Sequence, residues 1–294
     1  MELVCIRPAI APDPVISVVM PSFNRANLIG RAITSILSQT LERFEIVIVD
    51  DGSTDGTLPL LASYDDPRVG VFQLRRNAGA PAARNAGVKA ARSSLIAFQD
   101  SDDEWQPELL AAHVLALAHA DVSFCQLDQR YGSARTLFPP PGWRLSHDVY
   151  AQLLETSHIS TQTMAMTKAV FERAGGFDPA MPRFQDWDLA LRLAKNDAKF
   201  HYIDQPLAIA YDSPDSLTRS QEKGIIGRHR LIEKHQDAFA AEPAVLARHY
   251  YVMGSQLRQL NRFDEARHEF ASALRLVPGN WRAAVQWMLA VLRR

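Results

Sequence analysis

The stretch SLIAFQDSDDEW (residues 94–105) joins an apolar, strand-like run to three aspartates, Asp100, Asp102 and Asp103. Carboxylates that lie a few ångströms apart repel one another and raise one another's pKa. A bound cation would relieve that repulsion, whereas in a solvated turn water would screen it. The sequence on either side of this stretch decides the fold and bears on both interpretations.

Strand-like and helix-like segments alternate around this stretch. Runs rich in Val and Ile predict buried strands at residues 15–20, 44–50, 69–74, 94–100 and 121–127. Helical spacing or composition predicts intervening helices at residues 27–40, 57–64, 81–91 and 107–120. Alternation of this kind, with continuously apolar strands, predicts an α/β fold in which helices cover both faces of a mostly parallel central sheet.

Composition narrows the class of protein. The chain has 294 residues, 47% of them hydrophobic, and a formal net charge of −1, so nucleic acid is not expected as the main partner. Only two cysteines are present, Cys5 and Cys125, which predicts no disulfide framework. The first 14 residues lack a basic n-region, and no apolar run reaches about 18 residues. We therefore expect a cytoplasmic protein, with a peripheral contact at the inner face of the cell membrane left open.

Polar clusters follow four of the predicted strands. Their sequences are PSFNR (21–25), DDGSTDGT (50–57), RRNAGA (75–80) and DSDDEW (100–105). Any one of them could be ordinary turn chemistry, because Asp, Asn, Ser and Gly favour turns. Ligands of parallel sheets bind beyond the carboxyl ends of the strands. Four such clusters on one rim therefore predict a binding site.

Two clusters carry specific chemistry. Asp100 and Asp102 are two residues apart, so in an extended segment their carboxylates share a face, and such hard oxygens suit Mg²⁺ or Mn²⁺. The D-x-D spacing also arises by chance in acidic loops. Asp50 and Asp51 end a strand, where an aspartate can accept from a base imide or from ribose, and Phe23 could stack on the base. Neither the dinucleotide fingerprint nor the P-loop motif is present, which argues against a dehydrogenase or a P-loop ATPase.

Three segments, at residues 16–57, 75–105 and 175–194, together resemble the family 2 glycosyltransferases, which have a GT-A fold. The resemblance covers about residues 15–211. It implies inverting transfer of a sugar from a nucleotide-sugar donor, usually a UDP-sugar, with Mn²⁺ or Mg²⁺ as cofactor. The implied acceptor is a hydroxyl of a glycan or lipid-linked sugar, in the synthesis of surface polysaccharide or cell-envelope glycan.

The resemblance also assigns the donor-binding residues. Pro21, Phe23 and Asn24 correspond to the base-binding loop, and Asp51 is similar to the aspartate that reads uracil. Arg84, in the sequence ARNAG, occupies the family's donor-side arginine position.

The same resemblance assigns the metal and the base. Asp100 and Asp102 match the D-x-D pair, with Asp102 as the direct metal ligand and Asp103 as a residue that could share this role. In FQDWDL, Asp186 corresponds to the catalytic base, and Gln185 replaces the family's usual Glu. The sequence YDSPDS at 211–216 departs from the Y-R-x-H pattern of relatives, which puts the acceptor-side loop in doubt.

The last part of the chain predicts a separate helical region. We expect a GT-A domain at residues 15–221 and a helical C-terminal extension at 222–294. Within the extension, the spacing of six residues is typical of one tetratricopeptide unit at about 250–280: Gly254, Phe263, Ala266, Phe270, Ala273 and Pro278. One unit cannot make a solenoid, so a packed helical hairpin is favoured over a peptide-binding role.

Two other functions stay open from the residues alone. A metal-dependent nucleotidyltransferase or phosphotransferase would also use a D-x-D at a strand end, and a non-catalytic binding protein could use the helical tail. Asp186 could simply cap its helix, and Trp105 and Trp187 could belong to the core rather than stack on a sugar. The joint presence of the D-x-D and Asp186 favours an enzyme.

Overall fold

The computed structural model describes residues 2–212 and 220–292, and the chain divides into two compact units. Unit 1 consists of Met1–Leu153, Ser157–Pro179 and Gln185–Pro214, and unit 2 consists of Leu154–Thr156, Ala180–Phe184 and Asp215–Arg294. The predicted acceptor-side segment 211–216 lies mostly outside the described residues. Of the helices described, none combines the length and the hydropathy that a membrane span needs.

A single sheet organises unit 1. Its strands in chain order are β1 (Leu3–Arg7), β2 (Ile16–Ser22), β3 (Phe44–Asp50), β4 (Val69–Leu74), β5 (Leu95–Phe98), β6 (Glu104–Trp105), β7 (Val122–Tyr131), β8 (Ala134–Phe138), β9 (Met164–Thr167) and β10 (Phe200–Tyr211). Their spatial order is β1-β4-β3-β2-β5-β9-β7-β10-β6, with β8 paired to β7. The strands β2 and β3 are buried along their whole length.

The α/β fold class predicted from the sequence is confirmed, but the sheet is mixed rather than mostly parallel. In the described part of the chain β4, β3, β2 and β5 are mutually parallel, as are β7 and β10. The pairs β1–β4, β5–β9, β9–β7, β10–β6 and β7–β8 are antiparallel. The prediction was too simple because an apolar run shows that a strand is buried but not which way its neighbour runs.

Seven helices accompany this sheet along the described chain up to residue 212. They are α1 (Ile29–Leu37), α2 (Thr57–Ala62), α3 (Ala80–Ala90), α4 (Leu109–Leu117), α5 (Val149–Glu155), α6 (Lys168–Arg173) and α7 (Gln185–Lys195). Side chains of α1, α2 and α4 share one apolar core with β2, β3 and β4. The polar clusters at the strand ends therefore follow elements that are anchored in a buried apolar core.

Helix α3 lies unusually close to the sheet. A Cβ atom placed on Gly87 would lie 2.5 Å from Cγ1 of Val19 and 3.2 Å from Cγ2 of Val49, so any larger residue would push the helix away from β2 and β3. This contact fixes the height of α3 above the strands and, with it, the position of Arg84 on the same helix.

Unit 2 is built from helices over the range 220–292. They are α8 (Gln221–Lys234), α9 (Gln236–Ala241), α10 (Pro243–Gln259), α11 (Phe263–Leu276) and α12 (Trp281–Val291). Helices α10 and α11 form a hairpin, in which the ring of Phe270 packs against Gly254. A Cβ on Gly254 would lie 2.8 Å from Cε1 of that ring. The absence of a side chain at Gly254 therefore lets the two helices pack closely.

Candidate functional site

The loops that follow β2 and β3 are tied to each other. Asn24 has a left-handed backbone (φ 53°), which asparagine tolerates better than most residues. Its side-chain Oδ1 accepts a hydrogen bond from Thr54 N at 2.9 Å, and its own backbone N donates to Ser53 Oγ at 2.9 Å. Pro21 lies buried on β2, while Phe23 keeps 40% of its surface exposed. The predicted base-binding loop is thus ordered, with one aromatic ring open to solvent.

Asp51 holds the start of α3. Its Oδ1 accepts from Ala78 N at 2.8 Å and its Oδ2 accepts from Gly79 N at 2.7 Å. The side chain is almost fully buried, and desolvation raises its pKa against the opposing effect of these two hydrogen bonds. Each carboxylate oxygen still has a lone pair for a further donor. The role in reading a base remains a prediction, and the structure adds a second role in positioning α3.

Arg84 connects two of the predicted motifs. Its Nη2 lies 2.5 Å from Asp100 Oδ1, and its Nη1 donates to Gln185 Oε1 at 3.4 Å. The guanidinium also lies over the ring of Phe177, 5.4 Å from its centroid. Arg84 itself is buried, which strengthens its electrostatic contacts. One cation therefore joins the end of β5 to the start of α7.

The three aspartates after β5 occupy different environments. Asp102 accepts from Arg31 through its backbone carbonyl rather than through its carboxylate. Burial and the neighbouring charge of Asp100 raise the pKa of Asp102. Asp103 is buried, its Oδ1 accepts from Tyr211 N at 3.1 Å, and burial raises its pKa well above the usual value. The backbone contact with Tyr211 fixes Asp103 at the end of β10 and leaves Asp102 as the more available ligand.

These carboxylates fit a divalent cation that is only partly held by the protein. Over residues 2–212 and 220–292, no group of three or more His, Cys, Asp or Glu side chains is arranged to hold a metal ion. Two hard carboxylates at Asp100 and Asp102 would leave coordination positions for phosphate oxygens, as Mg²⁺ and related ions prefer. Burial is the main cause of the raised pKa of Asp102, and the charge of Asp100 adds to it; a bound cation would relieve this second contribution.

The two aspartates at the start of α7 have separate surroundings. Asp186 is partly buried, its Oδ1 accepts from Trp187 N at 2.9 Å, and desolvation raises its pKa. The charge of Arg84 opposes that rise in pKa and the charge of Asp100 adds to it. Asp186 is therefore close enough to both groups to interact with their charges. Asp188 is fully buried and accepts from Arg192 at 2.7 and 3.1 Å. The carboxylate of Asp188 is therefore engaged in a buried ion pair, whereas that of Asp186 is not fully buried.

Asn85 also shapes this site and was not predicted from the sequence. Asn85 makes a reciprocal pair of hydrogen bonds with the backbone of Phe177: its Nδ2 donates to the carbonyl at 2.7 Å, and its Oδ1 accepts from N at 2.9 Å. The clamp fixes the loop before α7 to α3. The side chain follows Arg84 directly in the motif ARNAG, and that adjacency was the only available signal.

A second group also went unpredicted. Arg31 reaches from α1 to Glu104 at 3.2 Å and lies 3.9 Å from the ring centroid of Tyr211. The Tyr211 hydroxyl donates to Glu104 Oε2 at 3.0 Å. These contacts join α1, β6 and β10 around the backbone that carries Asp102 and Asp103.

Both tryptophans that left two interpretations open belong to the core. Trp105 and Trp187 are each 4% exposed. Their indole N–H groups donate to backbone carbonyls, Trp105 to Gln162 at 2.9 Å and Trp187 to Leu153 at 2.7 Å. Buried rings with satisfied N–H groups anchor structure and are not available for stacking on a sugar.

The sequence matches the model of the family Glycosyl transferase family 2 over residues 17–174. The chain belongs to glycosyl transferase family 2. The succinoglycan biosynthesis protein ExoO of Rhizobium meliloti is a relative with 33% identity over 281 residues, which cover 88% of this chain and 77% of ExoO. The expected family is thereby confirmed, and the protein is a glycosyltransferase.

Solved structures share the fold of this chain. S. aureus TarS in complex with UDP-GlcNAc matches with a TM-score of 0.66 and 19% identity, covering 95% of this chain and 87% of that one. The mannosyltransferase PcManGT of Pyrobaculum calidifontis, in complex with GDP-Man and Mn²⁺, matches with a TM-score of 0.63 and 18% identity, covering 97% and 81%. Among eight of the curated relatives it matches, the chain spans from 24% to 83% of the relative's length, and less than two thirds in six of them.

Proposed function

We propose that this family 2 glycosyltransferase moves a sugar, with inversion, from a UDP-sugar to a hydroxyl of a glycan or lipid-linked acceptor. The product would belong to surface polysaccharide or cell-envelope glycan. The observation that carries the proposal is the contact of Arg84 with both Asp100 and Gln185, because it brings the D-x-D and the residue before Asp186 to one cation. The relatives' activities support the class of product, since ExoO takes part in succinoglycan biosynthesis.

Asp186 is the proposed general base. An acceptor hydroxyl that attacks the anomeric carbon must lose its proton, and a carboxylate within hydrogen-bond reach can take it. Burial raises the pKa of Asp186, which makes its carboxylate a stronger base than a solvated aspartate. The reaction breaks the bond between the anomeric carbon and the diphosphate oxygen and forms a bond to the acceptor oxygen. The proton passes to Asp186 and the leaving diphosphate takes the electron pair.

Arg84, Asp100 and Asp102 form the proposed donor side. Arg84 is a buried, permanently charged group, and it can stabilise the negative charge that develops on the leaving diphosphate. Asp102, with Asp100 and Asp103 beside it, would hold Mn²⁺ or Mg²⁺, and the bound ion would act as a Lewis acid on the same diphosphate. Asp51 and the loop with Pro21, Phe23 and Asn24 would hold the nucleoside.

The two alternative functions have less support. A nucleotidyltransferase or phosphotransferase shares the D-x-D but does not explain membership of a glycosyltransferase family. A purely binding role leaves unexplained a partly buried carboxylate at residue 186 beside a buried arginine.

Nucleotide binding provides the test. Calorimetry should show that UDP binds at least about ten-fold more tightly with Mn²⁺ than with EDTA, because an ion held by Asp102 would offset the negative charge of the diphosphate. Asp102→Asn should remove most of that enhancement. Asp65→Asn, at an exposed position on the same unit, is the matched control and should keep it.

Equal UDP affinity with Mn²⁺ and with EDTA would contradict the metal role. A screen of nucleotide-sugars for slow hydrolysis would then identify the donor, and hydrolysis of a GDP-sugar but of no UDP-sugar would contradict the proposed base specificity.

A further inference from the structure

Helix α12 has its small side chains inside and its large apolar side chains outside. Ala283 and Ala290, seven residues apart, are fully buried, and Ala283 packs with Ala247 and Ala273. The opposite face exposes four large side chains at positions i, i+4, i+7 and i+11, the spacing of one helical stripe. Their exposed fractions are 69% for Trp281, 39% for Val285, 53% for Met288 and 80% for Leu292.

The exposed stripe, formed by Trp281, Val285, Met288 and Leu292, lies on a helix with a defined N-terminus and has further apolar residues beside it. The helix begins sharply, since Asn280 caps it by accepting from Ala283 N at 3.1 Å. Trp287 and Leu289 on its flanks are also 38% and 42% exposed. Single exposed apolar residues are ordinary, but a contiguous group on one helix marks an interaction surface.

The sequence that contains the stripe carries charge of one sign. From residue 270 to the end of the given sequence there is no Asp or Glu, whereas four arginines are present: Arg275, Arg282, Arg293 and Arg294. The guanidinium of Arg282 lies 5.6 Å from the ring centroid of Trp281, so a cation and an aromatic ring sit together at one end of the stripe. A partner of complementary chemistry would be apolar in its interior and anionic at its surface.

We propose that α12 is a membrane-interface helix that inserts its stripe of Trp281, Val285, Met288 and Leu292 among the lipids of an anionic membrane surface. An amphipathic helix of this kind lies in the plane of the headgroups, with apolar side chains below and arginines beside the phosphates. The eleven residues of α12 extend only about 16 Å, too short to cross a bilayer. Tryptophan at such a boundary is favoured because its ring is apolar and its N–H remains hydrated.

A second copy of this chain is the competing occupant. The spacing of four, three and four residues would also suit two helices packed against each other. The charge pattern disfavours it, because residues 270–294 contain arginines and no acidic residue, so two packed α12 helices would bring like charges together. An anionic surface turns the same arginines into attraction. The proposal concerns where the protein resides and does not depend on the transfer reaction.

Vesicle binding by the full chain tests the proposal. The protein should float with phosphatidylcholine vesicles that contain about one third phosphatidylglycerol, and it should float much less with pure phosphatidylcholine or at high salt. The double variant Val285→Gln with Met288→Gln should reduce binding by about ten-fold or more. Both positions are exposed, so the fold should be retained.

A matched control removes exposed apolar side chains elsewhere. Leu115→Gln with Ile226→Gln changes residues that are 74% and 44% exposed on α4 and α8, and it should bind vesicles like the wild type. In addition, Trp281→Phe should remove most of the blue shift of tryptophan fluorescence that vesicles produce.

Three results would overturn the proposal. They are a failure to bind anionic vesicles, an equal loss of binding in the control, and a stable dimer that the α12 double variant converts to monomers while vesicles have no effect. Sedimentation velocity of the same samples detects the third result and would assign the stripe to a second copy.

Discussion

Helices α7 and α12 both have eleven residues, yet they place their side chains in opposite ways. Helix α7 buries Trp187, Leu189 and Leu191, and it places acids in its first turn and basic residues in its last, as the helix dipole favours. Helix α12 buries only alanines and turns its large apolar residues to solvent. In α7, apolar burial fixes the position of a carboxylate. In α12, the apolar surface is still available for binding.

The difference shows what amphipathic patterning can and cannot predict. Both segments contain large apolar residues at helical spacing, and periodicity predicts a helix in each case. Which face is turned inward depends on what the neighbouring element offers. Helix α11 presents Ala273 to α12, so alanines pack there, and the larger side chains are left outside.

The largest expected effect tests the carboxylate that α7 positions. Asp186→Asn should lower the transfer rate by about 10²–10⁴-fold, because it removes the proposed base, while UDP-sugar affinity stays within a few-fold. Steady-state transfer rates and calorimetry on the same preparation measure both quantities.

Asp188→Asn is the control for that variant. It breaks a buried ion pair with Arg192, so it should lower stability rather than the turnover of folded enzyme. Near-wild-type turnover of Asp186→Asn would show that another group is the base.

The next effect compares the two apolar faces directly. Leu191→Ala in α7 should cost about 2–5 kcal/mol of the free energy of unfolding, since the leucine is fully buried. Met288→Ala in α12 should change it by less than about 0.5 kcal/mol, as for ordinary surface positions. Urea unfolding of both variants gives the comparison. A large loss for Met288→Ala would show that its face is covered in solution.

The smallest effect concerns an ion pair between α8 and α11 in unit 2. His229 on α8 lies 3.1 Å from Glu269 on α11, and this contact raises the pKa of the histidine. A raised pKa in the folded state adds stability below the unfolded pKa of about 6.5, and that stability is lost as the pH rises through the folded value. Since the side chain is about half exposed, the gain should stay below about 1 kcal/mol.

Thermal unfolding at pH 5.5 and pH 8 would measure this small contribution. The difference in stability between wild type and His229→Gln should be larger at the lower pH. A wild-type advantage that grows at the higher pH would contradict the sign of the linkage.

The parts of the fold that could be predicted from the sequence are the buried strands, because burial requires continuous runs of apolar residues. Runs of Val and Ile located β2, β3, β4, β5 and β7 to within a few residues. Strand β1 was not predicted, because its short run lies before a proline-rich segment and it pairs only at the edge of the sheet, with β4. The direction of β9 was also beyond the pattern, because pairing direction depends on the path of the chain between strands.

The residues of the candidate site could also be predicted only in part. Its acids and Arg84 were found because residue type at a strand end or in a family motif carries a chemical meaning. The hydrogen bonds of Asp51 were not found, since their donors are backbone N–H groups 27 and 28 residues further on. The clamp of Asn85 on Phe177 joins residues 92 apart, and only the folded chain brings them together.

The bonds from Asp51 to the start of α3 also set a distance. Gly79 caps that helix and Arg84 follows five residues later, a rise of about 7.5 Å along the axis. The first turns of α3 therefore set the distance between Asp51, the proposed base-reading residue, and Arg84, the proposed phosphate-binding residue. A substitution of Asp51 that is meant to admit a different nucleobase would also remove the hydrogen bonds that hold the start of α3. It would therefore disturb the position of Arg84 as well. Changing nucleotide preference in this scaffold consequently requires a compensating change at the first turn of α3.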